Sequence, residues 1–258
     1  MFFWTVKATQ LKRFFIILTA VVFAIGILVV EERGVSIYGP AQPATASSEP
    51  SAIYSVSTDK KKVALTFDIS WGDKRPGPIL DILEEKKVDK VTFFLSSPWA
   101  ENHPDIVQRI VDAGYEIGSH GHKHINYSRL SEDEIRQQIV KADEILHKLT
   151  GTKPNLIRLP NGDFDKRVLR VADSLGYTVI QWDTDSLDWM NPGVDRIVQR
   201  VMSRVHPGDI ILMHASDSCK QTHLALPTII DQLREKGYEL VTVSELIATA
   251  EIDATDLP

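Results

Sequence analysis

Asp68, His120, His124, Arg158, Asp183, Asp185, Asp188 and His214 are side chains that can move protons, hold a metal or pair with an oxyanion, and most of them share one kind of address. Asp68 follows VALTF, the histidines follow YEIG, the aspartates follow TVIQW and His214 follows DIILM. A carboxylate at a strand tip can act as general base, metal ligand or helix cap. His120, His122 and His124 crowd into GSHGHKHINY, a polar, Gly-containing turn where core packing is a poor explanation and metal ligation a good one. His120 and His124 share a face if the chain turns there. Arg158, ahead of Leu-Pro-Asn-Gly, can hold a carboxylate in two hydrogen bonds and keep it ionised, and Asn161 and Gly162 can offer backbone N–H groups to an oxyanion. Asp188 beside Trp189 can pair with a histidine and raise its pKa, while the spacing of WDTDSLDWM lacks the Gly and Glu of a calcium loop. Trp71 can line a sugar site or simply pack over the mouth of the fold. Cys219, the sole cysteine, has no base partner within the pattern, and His103, His147, His206 and His223 stand outside the polar clusters.

Residues so far apart in sequence converge only if the elements that carry them are parallel. Strand-like runs are read over 63–67, 91–96, 116–119, 156–159, 178–182, 209–213 and 239–243, alternating with amphipathic stretches such as PILDILEEKK and SEDEIRQQIVKADEILHKLTG. Ser131 and Glu134 form a capping-box pair at the start of the longest of these. No hairpin signal interrupts the alternation, which predicts a parallel sheet. No GxGxxG or Walker pattern follows the first strand, and polar residues follow nearly every strand. The expected fold is therefore α/β, an incomplete (β/α) barrel of about seven parallel strands.

The chain has 258 residues, 43% hydrophobic and 25% charged, with a net charge of −6. That balance suits one large globular domain and argues against a nucleic-acid partner. Residues 14–30 hold no charge and follow Lys7, Lys12 and Arg13. They are read as a single-pass transmembrane anchor, with 1–13 a cytoplasmic tail and the remainder outside the membrane. A cleaved signal peptide is the rival, but Glu31, Glu32 and Arg33 follow the apolar run where a small-x-small site would be needed. Residues 31–57 read as a Pro-, Ala- and Ser-rich linker, 58–250 as the catalytic domain and 251–258 as a C-terminal tail.

In order, TFD, HGHKH, RLPNG, DSLDW and LMH resemble the five motifs of the polysaccharide deacetylase family, the nodulation-factor deacetylase homology domain of carbohydrate esterase family 4. The resemblance runs from about Lys62 to Ala248. TFDISWGD and the N-terminal anchor are most similar to the membrane-anchored sporulation-type members. It implies a distorted (β/α) barrel of seven or eight strands and metal-assisted hydrolysis of acetamido groups on an amino-sugar polymer, most plainly peptidoglycan. Asp68 would then be the general base, His120 and His124 ligands to a divalent zinc, cobalt or nickel ion, and Arg158 the partner that orients Asp68. His214 would be the general acid tuned by Asp188, with Asn161, Leu212 and Trp189 contacting substrate. Two residues depart from the pattern. Ile69 stands where the family has a metal-binding Asp, and Asn161 where it has an aromatic residue. The first opens a second reading, a catalytically impaired glycan-binding envelope protein. Asp73, His122 or a doubly employed Asp68 are the candidates to replace the missing ligand.

Overall fold

The computed structural model describes residues 49–255. The expected anchor, and the linker as far as residue 48, lie outside them. Among the described residues no helix is long and apolar enough to cross a membrane.

The elements are β1 (Lys62–Ile69), α1 (Pro76–Glu85), β2 (Thr92–Leu95), α2 (Ser97–Asn102), α3 (Pro104–Asp112), β3 (Glu116–Ser119), α4 (Glu132–Thr150) and β4 (Leu156–Ile157). They continue as α5 (Lys166–Ser174), β5 (Thr178–Val179), β6 (Thr184–Asp185), α6 (Val194–Arg204), β7 (Ile210–His214), α7 (Thr222–Glu235), β8 (Glu239–Leu240) and α8 (Val243–Thr255). All paired strands are parallel, in the order β5-β4-β3-β2-β1-β7-β6, with β8 against the start of β1. The sheet curls into a half-barrel whose end strands β5 and β6 do not pair with each other. The capping box at Ser131 forms as its sequence predicts, with both reciprocal hydrogen bonds in place.

Strand β1 lies in the interior of the sheet, between β2 and β7, because both of its faces are apolar or neutralised. Val63, Leu65, Phe67 and Ile69 point outward into a core shared with α1, α3, α6 and α7. Ala64 points inward to Phe94, Leu156, Ile180 and Ile210. The side-chain period of two thus puts Thr66 and Asp68 on the inner face, at the C-terminal end of the strand.

Among the described residues there are eight strands, against the seven runs read from the sequence. The extra one, β6, is only two residues long and pairs Thr184 with Ile211 and Asp185 with Leu212. Its acidic composition hid it, since strand propensity marks apolar runs and this strand is held by its neighbour and by Asp209, which accepts from Thr184 Oγ1 at 2.6 Å. The run read as 178–182 correspondingly ends at Val179. Two expected boundaries also fall inside ordered structure, since α8 continues to Thr255 and the last linker residues join the sheet. Ile53 donates to the Val179 carbonyl (2.9 Å) and accepts from Gln181 N–H (2.7 Å), and Val56 donates to the Gly208 carbonyl (2.8 Å). This segment lies in the open seam of the half-barrel. Gly208 is needed there, because a Cβ at that position would overlap the Val56 carbonyl.

Candidate active site

A cavity of about 630 Å³ opens at the C-terminal ends of the strands, lined among others by Asp68, His120, His124, Leu212 and His214. Asn161 and Trp189 also reach it. Asp68, both expected histidine ligands, the expected acid and the three expected substrate contacts are therefore at this one place, and Arg158 and Asp188 lie directly behind it.

Asp68 is buried and sits between a cation and an imidazole. Arg158 donates from one terminal nitrogen both to Asp68 Oδ1 (2.9 Å) and to Thr66 Oγ1 (2.7 Å) and from the other to the Gln181 carbonyl (2.9 Å). The guanidinium is wholly buried, 4.2 Å over the Phe94 ring, and its Nε has no partner. Burial alone would push the Asp68 carboxyl up, but the charges of Arg158, His120 and His214 and the Arg158 hydrogen bond outweigh it and hold the group below the usual carboxylate range. Asp68 is thus an anion at neutral pH. Replacing Arg158 by Met is expected to strand that anion in the interior and destabilise the fold by about 3–5 kcal/mol. Denaturant unfolding measures it, and a loss under 1 kcal/mol would show that the pair is dispensable.

His120 places Nδ1 2.9 Å from the Arg158 carbonyl. A carbonyl only accepts, so Nδ1 carries the proton and Nε2 keeps its lone pair, the arrangement of a metal-ligating imidazole with an oriented ring. That Nε2 is 3.9 Å from Asp68 Oδ2, and the His124 ring centre is 5.4 Å from that of His120. Burial chiefly pushes His120 down to about 4, leaving it neutral as ligation requires. Burial also lowers His124.

His214 carries the opposite charge logic. Its Nδ1 lies 2.7 Å from Asp188 Oδ1, and Asp188 Oδ2 accepts from the His214 N–H (2.8 Å) and from Thr222 Oγ1 (2.6 Å). Burial opposes protonation of the ring, but Asp188 and the hydrogen bond to it prevail and raise the pKa above the usual histidine value. A histidine shifted toward its acid form beside a carboxylate shifted toward its base form is a pair whose environments push their pKa values apart.

The donors for a divalent cation are His120 Nε2, a nitrogen of His124 and Asp68 Oδ2. Two imidazoles and a carboxylate are the right donor types for such a cation, but the three are not drawn within 4.8 Å of one another. Among the described residues the set that does is Asp188, His214 and Cys219. Its atoms are largely spent on one another, and burial raises the Cys219 thiol to about 12, so it stays protonated. Ile69 supplies nothing to either set. It is fully buried on the opposite face of β1 with Phe67. His122 turns to Ser97 Oγ (2.9 Å), and neither it nor Asp73 lines the cavity, so neither replaces the missing carboxylate. Asp183 also leaves the cluster, bonding His206 Nε2 at 3.0 Å.

Three supporting groups escaped the sequence reading. Thr66 lay inside an apolar run, although its place two residues before Asp68 puts it on the same face. Thr222 and Gln181 reach the site through long-range contacts that no local pattern signals.

A polysaccharide deacetylase family model matches residues 55–180. A peptidoglycan-N-acetylglucosamine deacetylase of Bacillus cereus is 38% identical over 197 residues, covering 74% of this chain and 70% of that protein. The chain belongs to the polysaccharide deacetylase family. Another such relative, the peptidoglycan-N-acetylmuramic acid deacetylase PdaA of Bacillus subtilis, is 28% identical over 78% of this chain and 77% of its own. The crystal structure of wild-type BA3943 from Bacillus anthracis, described as a pseudoenzyme of carbohydrate esterase family 4, superposes with a TM-score of 0.72 at 38% identity, covering 76% of this chain and 69% of that one. A BA3943 mutant with restored enzymatic activity gives the same TM-score at 40% identity, covering 76% and 71%. The half-barrel is thus the polysaccharide deacetylase fold, and the family holds both working and silent members.

Proposed function

We propose that this chain hydrolyses the acetamido group of an N-acetylated amino-sugar polymer of the peptidoglycan type. The observation that carries the reading is the pair of oppositely tuned groups facing one cavity, Asp68 paired with Arg158 and its carboxyl pKa lowered, His214 paired with Asp188 and its pKa raised. Asp68 takes a proton from the attacking water as its oxygen bonds to the acetyl carbon. His214, whose Nδ1 is engaged by Asp188, donates from Nε2 to the departing nitrogen as the C–N bond breaks, giving acetate and a free amine. Leu212 offers an apolar wall to the acetyl methyl, and Asn161, with φ 60°, sits at the cavity edge where its backbone can meet the oxyanion. His120, His124 and Asp68 would hold a divalent metal such as zinc, cobalt or nickel, which when bound polarises the carbonyl and acidifies water. The charge-free stretch 14–30 supports a membrane-anchored protein with this domain outside the cytoplasm.

Release of acetate from acetylated peptidoglycan by the purified protein, abolished by His214→Ala, tests the reading. No release with any of the three metals would overturn it. A second reading, glycan binding without turnover, is favoured by Ile69, which leaves the metal one carboxylate short. Retained glycan binding in a protein that releases no acetate would select it.

The pH profile follows from the same two groups. His214 must be protonated, so kcat/KM falls as pH rises through its pKa, and that limb lies above 6.5 because the pKa is raised. The acid limb falls near 4, where His120 gains a proton, while Asp68, held below the usual carboxylate range, is still ionised. Asp188→Asn removes the charge that raises His214 and is expected to move the basic limb to lower pH. An unmoved limb would assign it to another group.

A further inference from the structure

The loop between β6 and α6 has two sides. Asp185 and Trp189 line the catalytic cavity, whereas Leu187 and Pro192 form one wall of a separate cleft of about 300 Å³. The facing wall is α6, which presents Arg196, Gln199, Arg200 and Ser203. Their spacing of i, i+3, i+4 and i+7 puts all four on one face of the helix. The loop is held in shape at both ends. Leu187 donates its N–H to Asp185 Oδ1 (2.8 Å), and Asn191 donates from Nδ2 to the Ser218 carbonyl (2.8 Å). Both residues have left-handed backbones, with φ of 57° and 51°.

Two arginines and no carboxylate line this cleft, in a chain whose 35 acidic residues outnumber its 29 basic ones. Elsewhere Arg109, Arg158 and Arg167 each pair with an aspartate. Among the described residues Arg196 makes no hydrogen bond or ion pair. Arg200 is half-buried and fixed through Nε, which donates to the Asp185 carbonyl at 3.1 Å, and its two terminal nitrogens are left without partners among the described residues. Asp195, the carboxylate next in sequence, lines a different groove. Like charges four residues apart on a helix repel, so the fold gains nothing from this pair. An anion held between them would remove the repulsion.

A guanidinium with free N–H groups matches the planar fork of a carboxylate. Leu187 and Pro192 across the cleft suit a short aliphatic body rather than a bare inorganic ion. We infer that this cleft is a second binding site, for a short organic carboxylate held by Arg196 and Arg200, with the β6–α6 loop between it and the catalytic cavity. Arg200 links the two places, because the Asp185 carbonyl that it holds lies three residues before Asp188. Two sources carry this chemistry, a free small acid and an acidic substituent of the glycan. The second rests on the peptidoglycan-directed reading above, whereas the cleft itself does not.

Ligand-observed NMR of lactate with the full chain reports the cleft apart from turnover. The parent is expected to broaden the lactate methyl signal and to leave that of lactamide, its neutral counterpart, unchanged. Arg196→Gln, which removes a charge that supports nothing else in the fold, should abolish most of the broadening. Gln199→Glu, which adds a carboxylate to the cleft, should abolish it as well, and inorganic phosphate at equal concentration should displace little lactate. The glycan source is tested by calorimetry in a His214→Ala background, where no acetate is released. Peptidoglycan fragments with free carboxylates should bind about tenfold more tightly than the same fragments amidated, and Arg196→Gln should erase that difference. Lactate broadening alone assigns the free acid, and the fragment preference assigns the glycan. No dependence on Arg196 in either arm, including no binding by the parent, overturns the site. Full displacement of lactate by phosphate overturns the organic-acid assignment. If acetate release fails while lactate binding still depends on Arg196, the catalytic reading falls and the cleft stands.

Discussion

Asp68→Asn is expected to lower kcat for acetate release at least a hundredfold while leaving KM for the glycan within a few-fold. A positioned general base contributes roughly 10²–10⁴ to rate, and Asn has a similar shape but cannot take the proton. The substitution also leaves Arg158 with a neutral partner in a fully buried position, so some loss of stability accompanies it. Thermal unfolding separates the two effects, because a variant that is folded at the assay temperature and still binds glycan can lose turnover only through chemistry. A drop of less than tenfold would transfer the role of base to another group.

Ile69→Asp should act on stability and metal together, in opposite directions. Ile69 is fully buried among Phe67, Leu95 and Met213 on the helix-facing side of β1, at its last residue, where the Ile69 carbonyl still accepts from Ser96 N–H (2.9 Å). Without metal, a carboxylate there loses the apolar packing and lies in a poor environment for charge. The expected cost is about 3 kcal/mol or more, a drop in Tm of roughly 6–12 °C. Being at the strand end, the new carboxylate can turn toward His120 and His124, so saturating zinc should restore part of the loss and raise the Tm of the variant far more than that of the parent. Differential scanning calorimetry with and without zinc measures both. A variant whose Tm ignores zinc would mean that the side chain stays on the core face and that a missing ligand cannot be supplied by one substitution.

Much of this site was legible from Asp68, His120, His124, Arg158, Asp188 and His214, because each sits at the end of an apolar run and the parallel alternation of strands and helices sends all such ends to one face. What the sequence withheld depends on pairing across the sheet. β6 is two polar residues whose strand character comes from β7, and Thr222 reaches Asp188 only because α7 begins at Thr222. Asp183 resembles Asp185 and Asp188 in composition but bonds His206 instead, a choice made by tertiary placement. The outward face of Ile69 could be read from strand alternation, but its contacts required the helices.

The seam segment has a consequence for how the domain is assembled. Ile53 and Val56 precede every named strand, yet their hydrogen-bond partners, Val179, Gln181 and Gly208, belong to the second half of the sheet. A chain emerging from its N-terminus cannot seat this segment until most of the strands have been made. Contacts so distant in sequence slow folding, because loop-closure entropy is lost before the contact is gained. The gap between β5 and β6 is therefore the place where the half-barrel is finished last, by a piece of chain synthesised before any of its strands.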